Sequence, residues 1–290
     1  MRTLRTVAEV RGALEAHRRA GEVIGLVPTM GGLHDGHLSL IRRARAGCDV
    51  VVASLFVNPT QFDDPRDLEA YPRDEERDAR QASEHGVDYL FAPAPEELYP
   101  QGFSTTVSVA GVTETLEGAA RGRAHFDGVA TVVSKLLNIV GPDVAYFGQK
   151  DAQQAVVIRR LVADLNFPVR IEVCPTVREP DGLAMSSRNV RLSGDERERA
   201  TSLYRALRSI QAAVDSGESD PAAIRSRALS ELDCAGITPD YLELVRSDSL
   251  AAVAAVDGHT LAVVAARVGR TRLIDNLLIQ PHAGTENGRR

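Results

Sequence analysis

The 290 residues exceed one typical domain and leave room for two. A formal charge of −6 and a pI near 5.7 argue against a general nucleic-acid binder, although a small anionic substrate needs only a local basic site. Cys48, Cys174 and Cys234 are scattered, without metal-ligand spacing, and read as inert thiols of a reducing compartment. With no signal-peptide apolar core and no run of membrane-spanning length, a soluble cytoplasmic protein is expected.

In chain order, Thr6 to Glu9 is a T-x-x-E capping box opening a helix whose Val10, Ala13, Leu14 and His17 share a face, ended by Gly21. The apolar run Val23–Val27 predicts a strand, PTMGGLHDGH (Pro28–His37) a glycine-rich turn, and Leu38–Ala46 an amphipathic helix stopped at Gly47. Asp49–Val57 is almost continuously apolar, as in a parallel sheet buried on both faces, and completes a βαβ unit. Asn58–Tyr71 is a polar loop at that strand's carboxyl end, where open α/β sheets bind ligands. A helix over Arg73–His85, closed by Gly86, and a strand over Val87–Phe91 continue the alternation. Pro93–Thr105 reads as irregular and Thr106–Val109 as a short strand. Asp127–Val140 carries Val129, Val132, Val133, Leu136, Leu137 and Val140 at helical spacing and stops at Gly141 and Pro142. Strand Asp143–Phe147, turn GQKD, helix Asp151–Leu165 and strand Val169–Val173 follow, a doubly wound α/β pattern.

Past Pro175 the alternation ends, and a domain boundary is expected between Pro175 and Asn189. Ser193 to Glu196 is a second capping box, leading a helix with Leu203, Leu207, Ile210 and Val214 on one face. Asp220 and Pro221 open another helix to about Leu232. Strands over Tyr241–Val245, Leu261–Val268 and Leu273–Leu278 predict a small α+β unit with antiparallel pairing, followed by a disordered tail.

Three stretches leave the carboxyl ends of predicted strands and so converge on one sheet edge: PTMGGLHDGH, FGQKDAQQ from Phe147, and TVREPDGLAMSSRN from Thr176. The glycines of the first permit close approach of a ligand, and the following helix offers unpaired N–H groups to an anion. His34 and His37, three apart, can face one bound group; Lys150 adds a cation, Ser186 and Ser187 hydroxyls, and Arg188 a planar fork. Together they suit a polyphosphate, whereas each alone also reads as an ordinary turn, linker or solvated side chain. Gln61, Gln154, Asn58 and Tyr71 are neutral groups suited to a hydroxylated substrate, with Gln153 and Gln154 otherwise reading as exposed helix surface. Asp74, Glu75, Asp78 and Glu117 are candidate magnesium carboxylates, the first three equally explained by a charged helical face. Neither a nucleophile triad, a zinc spacing nor a G-x-G-x-x-G fingerprint is present.

PTMGGLHDGH, VNPTQF, AYPRD, LEG with HFDGV, FGQKDAQQ, PTVREPDGLAMSSRN, YLEL and RLIDN occur in this order, and with them the chain resembles the pantoate–β-alanine ligases of the HxGH nucleotidyltransferase superfamily. The resemblance implies a Rossmann-like ATP- and pantoate-binding domain over residues 1–176. It also implies a smaller C-terminal α+β domain over 177–290, acting as a lid, with the tail beginning at about 281. A homodimer, ATP, pantoate and β-alanine as substrates, and Mg2+ are implied as well. Position by position, Met30, His34, His37, Lys150, Ser186, Ser187 and Arg188 match residues on ATP and its phosphates. Gly148, Asp151, Val177 and Met185 match positions around the nucleotide, and Gln61 and Gln154 match the residues that hold pantoate. His37, His34 and Lys150 are the implied catalytic groups. Asp78 falls near the family's magnesium-associated acidic pair, with Arg77 at the neighbouring position. RGRAHF (Arg121–Phe126) is one residue longer than the family's usual R-P-x-H-F.

The implied chemistry is attack of a pantoate carboxylate oxygen on the α-phosphorus of ATP, releasing pyrophosphate, then attack of the β-alanine amine on the pantoyl adenylate, releasing AMP. Another nucleotidyltransferase of the superfamily would share the glycine turn without needing Gln61 and Gln154. A non-catalytic nucleotide-binding protein would bind ATP without turnover.

Overall fold

The computed structural model describes residues 1–280; the tail expected from about 281 lies outside the described residues. Strand β1 (Arg2–Leu4) is too short for its pattern to announce it, and is fixed instead by parallel pairing with β4 (Tyr89–Phe91). Helix α1 (Val7–Ala20) has the full capping box, the Thr6 hydroxyl accepting the Glu9 N–H at 3.2 Å and the Glu9 carboxylate accepting the Thr6 N–H at 2.9 Å. There follow β2 (Ile24–Thr29), α2 (Asp35–Gly47), β3 (Val50–Leu55), a 3-10 turn over Pro59–Gln61, α3 (Pro65–Glu69), α4 (Glu75–Glu84) and β4. Then come α5 (Pro95–Leu98), α6 (Glu117–Arg121), α7 (Arg123–Val140), β5 (Val144–Gly148), α8 (Ala152–Asp164) and β6 (Arg170–Cys174). The six strands are parallel in the order β1-β4-β3-β2-β5-β6.

Two expectations change here. Thr106–Val109 is not a strand: the Val107 N–H is taken by the Thr131 hydroxyl of α7 at 2.9 Å, so the segment is tied to a helix and adds nothing to the sheet. Helix α7 starts at Arg123, four residues before the expected Asp127, because Gly122 at φ 82° breaks the chain between α6 and α7.

Alternate strand residues feed two cores. Leu26, Val52, Phe91, Ala145 and Phe147 pack with Leu14 of α1, Val133 of α7 and Ile158 of α8, while Val27, Val51, Leu90, Val144 and Tyr146 pack with Ile41 of α2 and Ala82 of α4. The strand order reverses between β2 and β5, the switch point where doubly wound sheets open a ligand crevice. Here the crevice has a local cause. β2 pairs with β3 over all six of its residues but with β5 only at Gly25 and Leu26. Ile24 bonds toward β5, and Val23 and Thr29 toward β3, so by alternation Pro28 faces β5. Having no N–H, it cannot extend that ladder, and the strands part toward their carboxyl ends.

The chain divides into two compact units, Met1–Val177 with Met185–Ser187, and Arg178–Ala184 with the chain from Arg188. The second contains α9 (Gly194–Asp215), α10 (Pro221–Cys234) and an antiparallel sheet of β7 (Pro239–Arg246), β8 (Thr260–Val268) and β9 (Thr271–Leu278). Its core joins Leu203, Leu207 and Ile210 of α9 to Leu242, Val264 and Leu273. Within it, Arg178 forks onto the buried Asp275 carboxylate at 2.6 and 3.0 Å under the Tyr204 ring, which ties Arg178–Ala184 to β9.

Candidate active site

The turn after β2 is built by two left-handed glycines. Gly31 has φ 92°, and a Cβ there would lie 2.9 Å from Leu55 Cδ1 and 3.0 Å from Asp78 Oδ2; Gly32 has φ 62°. Asp78 of α4, buried, accepts the Gly32 N–H at 2.8 Å and the Leu33 N–H at 2.9 Å, one on each carboxylate oxygen. Its part in this structure is thus to hold the turn. Asp74 caps α4 through the Arg77 N–H, Glu75 pairs with Arg5, and Glu117 is buried at the start of α6. No group of three His, Cys, Asp or Glu among the described residues is placed to hold a metal. Asp78, the expected magnesium carboxylate, spends one acceptor site of each oxygen on a backbone amide.

His34 is the N-cap of α2. Its Nδ1 accepts the Gly36 N–H at 3.2 Å, which places the proton of the neutral ring on Nε2. The His37 ring lies 4.1 Å from that of His34, and its Nδ1 is buried and unbonded among the described residues. An unpaired buried acceptor is tolerated better than an unpaired N–H, so this proton too is assigned to Nε2. Burial first, then the nearby His34 and Lys150, push the His37 pKa down to about 3 against the opposing pull of Asp151. His37 is consequently a neutral hydrogen-bond donor at physiological pH.

Across the crevice, Gly148 ends β5 and a Cβ there would meet only Lys150 N, at 4.0 Å, so this wall is open to a ligand. Lys150, on the following 3-10 turn, is half-buried with Nζ 3.2 Å from Asp151 Oδ1. Met185–Ser187 returns to the same unit: the Met185 N–H bonds the Val177 carbonyl at 3.0 Å, and the Ser187 hydroxyl lies 3.3 Å from Tyr71 OH. Ser187 Cβ and Met185 Cβ lie 3.4 and 3.7 Å from where Cβ atoms on Gly32 and Gly36 would sit. Met30 lines, with Gly31, Leu55, Phe56 and Pro72, a cavity of about 370 Å³ on the β3 side of the turn. Ser186 lies half-buried between Met185 and Ser187, and at Arg188 the chain re-enters the second unit.

The second polar group divides. The Gln61 Oε1 accepts from Asn58 Nδ2 at 3.0 Å, leaving the Nε2 hydrogens as its offering to a ligand. Asn58 itself is buried and saturated, donating also to the Gly128 carbonyl and accepting from Tyr99 OH at 2.9 Å and Thr60 Oγ1 at 2.9 Å. It orients Gln61 and is not itself available to substrate. Gln154 is half-buried on the first turn of α8 and makes no side-chain hydrogen bond among the described residues. Gln153, expected at the surface, is buried, donating to the carbonyls of Val112 and Thr115 and accepting the Glu117 N–H. Of the arginines flanking Gly122, Arg121 reaches His125 and Asp63, while Arg123 reaches Ser108. His125 is buried and bonds the Gln61 carbonyl; burial and Arg121 hold its pKa below the usual histidine range. The one available signal for that contact was the spacing of His125 and Gly128 in HFDGV, which puts both on one helix face.

A family model described as pantoate-beta-alanine ligase matches residues 2–278. The chain belongs to the pantoate–β-alanine ligase family. Within that family, the pantothenate synthetase of Cereibacter sphaeroides (strain ATCC 17029 / ATH 2.4.9) is 54% identical over 274 residues, 94% of this chain and 98% of that protein. That of Moorella thermoacetica is 52% identical over 281 residues, 97% and 99% of the two chains. The pantothenate synthetase structure from Thermus thermophilus superposes with a TM-score of 0.92 at 48% identity, covering 97% of this chain and all of that one, at 100%. The pantoate-beta-alanine ligase of Francisella tularensis, complexed with beta-gamma ATP and beta-alanine, has a TM-score of 0.81 at 34% identity over 96% of this chain and 97% of that one. The doubly wound parallel sheet with a small C-terminal α+β unit is the ligase fold of this family.

Proposed function

We propose that this chain condenses pantoate with β-alanine in two ATP-dependent half-reactions, through a pantoyl adenylate, in the crevice between β2 and β5. The observation that carries the reading is convergence: the His34–His37 turn, the Lys150 turn and the Met185–Ser187 segment lie in one unit around a strand gap opened at Pro28. In the first half-reaction a carboxylate oxygen of pantoate attacks the α-phosphorus and pyrophosphate leaves. Negative charge grows on the non-bridging and leaving oxygens. Lys150 supplies the opposing charge, the Nε2–H groups of His34 and His37 and the Ser186 and Ser187 hydroxyls donate hydrogen bonds, and the α2 N-terminus adds its dipole. Because His37 is neutral, it stabilises the transition state as a fixed dipole and costs no repulsion against Lys150. Met30, Gly148, Asp151, Val177 and Met185 are assigned to the nucleotide, and Arg188 to its phosphates.

Gln61 and Gln154 are assigned to pantoate. The Nε2–H2 of Gln61, whose Oε1 is taken by Asn58, suits the oxygens of a hydroxy acid. In the second half-reaction the β-alanine amine attacks the mixed anhydride and AMP leaves, so water exclusion matters most; the second unit, as a lid, is assigned that task. Magnesium is proposed to accompany ATP, where it would offset the phosphate charge, with Asp78 the carboxylate matched to that role. A homodimer and cytoplasmic residence complete the reading. Two of the three free cysteines are buried, and no helix among the described residues is long and apolar enough to cross a membrane. The test is pantoate-dependent exchange of labelled pyrophosphate into ATP, followed by AMP release on adding β-alanine. Exchange without pantoate, or ATP binding without exchange, would overturn the assignment in favour of a different nucleotidyltransferase or a nucleotide-binding protein.

A further inference from the structure

The loop that presents Gln61 is gripped from below by the first turns of α7. His125 and Gly128, three residues apart on one face of that helix, both meet it. The His125 ring bonds the Gln61 carbonyl through Nδ1 at 2.7 Å. Arg121 Nη1 lies 3.3 Å from Nε2 of the same ring and can only donate, so Nε2 is the acceptor and Nδ1 carries the proton. One neutral tautomer satisfies both contacts. Arg121 also bonds Asp63 Oδ2 through Nε at 2.9 Å, anchoring the loop two residues beyond Gln61. Gly128 lets the helix come closer than any side chain would, since a Cβ there would lie 2.5 Å from the Thr60 carbonyl oxygen and 2.8 Å from Gln61 N. Its own carbonyl accepts from Asn58, the residue that fixes the Gln61 amide.

We propose that His125 is a positioning residue for pantoate, acting through the backbone of Gln61. The inference rests on the assignment of Gln61 to pantoate. His125 has both ring nitrogens engaged by protein and is not a catalytic residue. Its bond sets where the Gln61 carbonyl lies and hence the height of the Nε2–H2 group above α7, while Asn58 sets that group's rotation. Misplacing a substrate-orienting donor by a fraction of an ångström weakens the one substrate it holds and leaves the nucleotide contacts of the β2 turn as they were.

The experiment is steady-state kinetics for pantoate, ATP and β-alanine in Gln61→Ala, His125→Ala, His125→Asn and His125→Gln. An asparagine keeps a donor near the Nδ1 position; a glutamine reaches toward Nε2 and Arg121 but leaves the Gln61 carbonyl unbonded. His125→Ala and His125→Gln are expected to raise the pantoate KM by about tenfold with the ATP KM within about twofold, and His125→Asn to restore most of the loss. A purely structural role would lower the active fraction or shift all three KM values together, and that result overturns the proposal. If His125→Ala does not fold, equal pantoate KM values in His125→Asn and His125→Gln overturn it. If Gln61→Ala leaves the pantoate KM unchanged, the assignment of Gln61 has failed. If Gln61→Ala raises it and His125→Gln does not, the role of His125 alone has failed.

Discussion

Replacing Asp78 separates two jobs for a buried carboxylate, holding a turn or holding a metal. Its two oxygens take backbone N–H groups at 2.8 and 2.9 Å, and the side chain is almost wholly buried. Each bond to an ionised acceptor is worth about 1.5–3 kcal/mol, and alanine leaves both amides without a partner. Asp78→Ala is therefore expected to cost about 3–5 kcal/mol, which for a unit of this size lowers the thermal midpoint by about 10 °C. Asp78→Asn keeps one acceptor oxygen but turns an amide N–H₂ toward a backbone N–H, and is expected to lose about half as much. Because Gly32 and Leu33 lead directly into the His34 cap, the ATP KM should rise in both variants at saturating magnesium. Denaturant unfolding together with ATP titration of the exchange rate measures both effects. If Asp78→Ala kept the wild-type stability and ATP KM, and raised only the magnesium concentration needed for half-maximal rate, the carboxylate would be a metal ligand and the bracing argument would be wrong.

Lys150→Ala and His37→Ala should each slow pantoyl adenylate formation by about 100-fold or more, as expected for the loss of a preorganised donor; rapid-quench assays read this, and near-wild-type rates in both would remove these residues from the chemistry. His37 also predicts a pH dependence of stability. With a folded pKa of about 3, below the unfolded histidine value, the unfolded chain binds the proton first, so stability is full above the unfolded value and is lost as pH falls toward 3. This one group should account for about 2 kcal/mol between pH 7 and pH 5, a slope that His37→Gln should remove in urea unfolding at the two pH values. Gln154→Ala should raise the pantoate requirement more than the ATP requirement, and equal effects on both would argue against its assignment. Gln153→Ala, one residue away, should instead lower stability by about 2–4 kcal/mol through three lost buried bonds, with little change in the pantoate KM of the folded fraction.

The sheet was legible because β2, β3 and β5 are buried on both faces and appear as unbroken apolar runs, separated by helices with proper caps and stops. What escaped depended on contacts distant in sequence. Arg2–Leu4 is a strand only because β4 lies beside it, and Val107 forgoes a sheet because Thr131 takes its N–H. In the candidate site, the turn, its two histidines and Lys150 could be proposed from residue type and spacing. The roles of Asp78, Asn58 and Gln153 could not. Each is a polar side chain with a backbone partner in another segment some tens of positions away, and no local pattern distinguishes such a brace from a ligand-facing group. His125 posed the same difficulty, because its partner is a carbonyl that every residue possesses.

The path of the chain around Val177 has a consequence for dissecting or recombining this enzyme. The first unit is not a continuous stretch: it ends at Val177, seven residues are lent to the second unit, and Met185–Ser187 comes back before the chain departs again. A fragment truncated at Val177 would retain the glycine turn and Lys150 yet lack both serine hydroxyls. Grafting a foreign C-terminal unit at the same point would import someone else's serines or none. With Ser186 and Ser187 proposed as donors to the nucleotide, an exchange of C-terminal units that is to leave the first unit whole has to carry Met185–Ser187 along with residues up to Val177, although these serines lie more than a hundred positions from His34 in the chain.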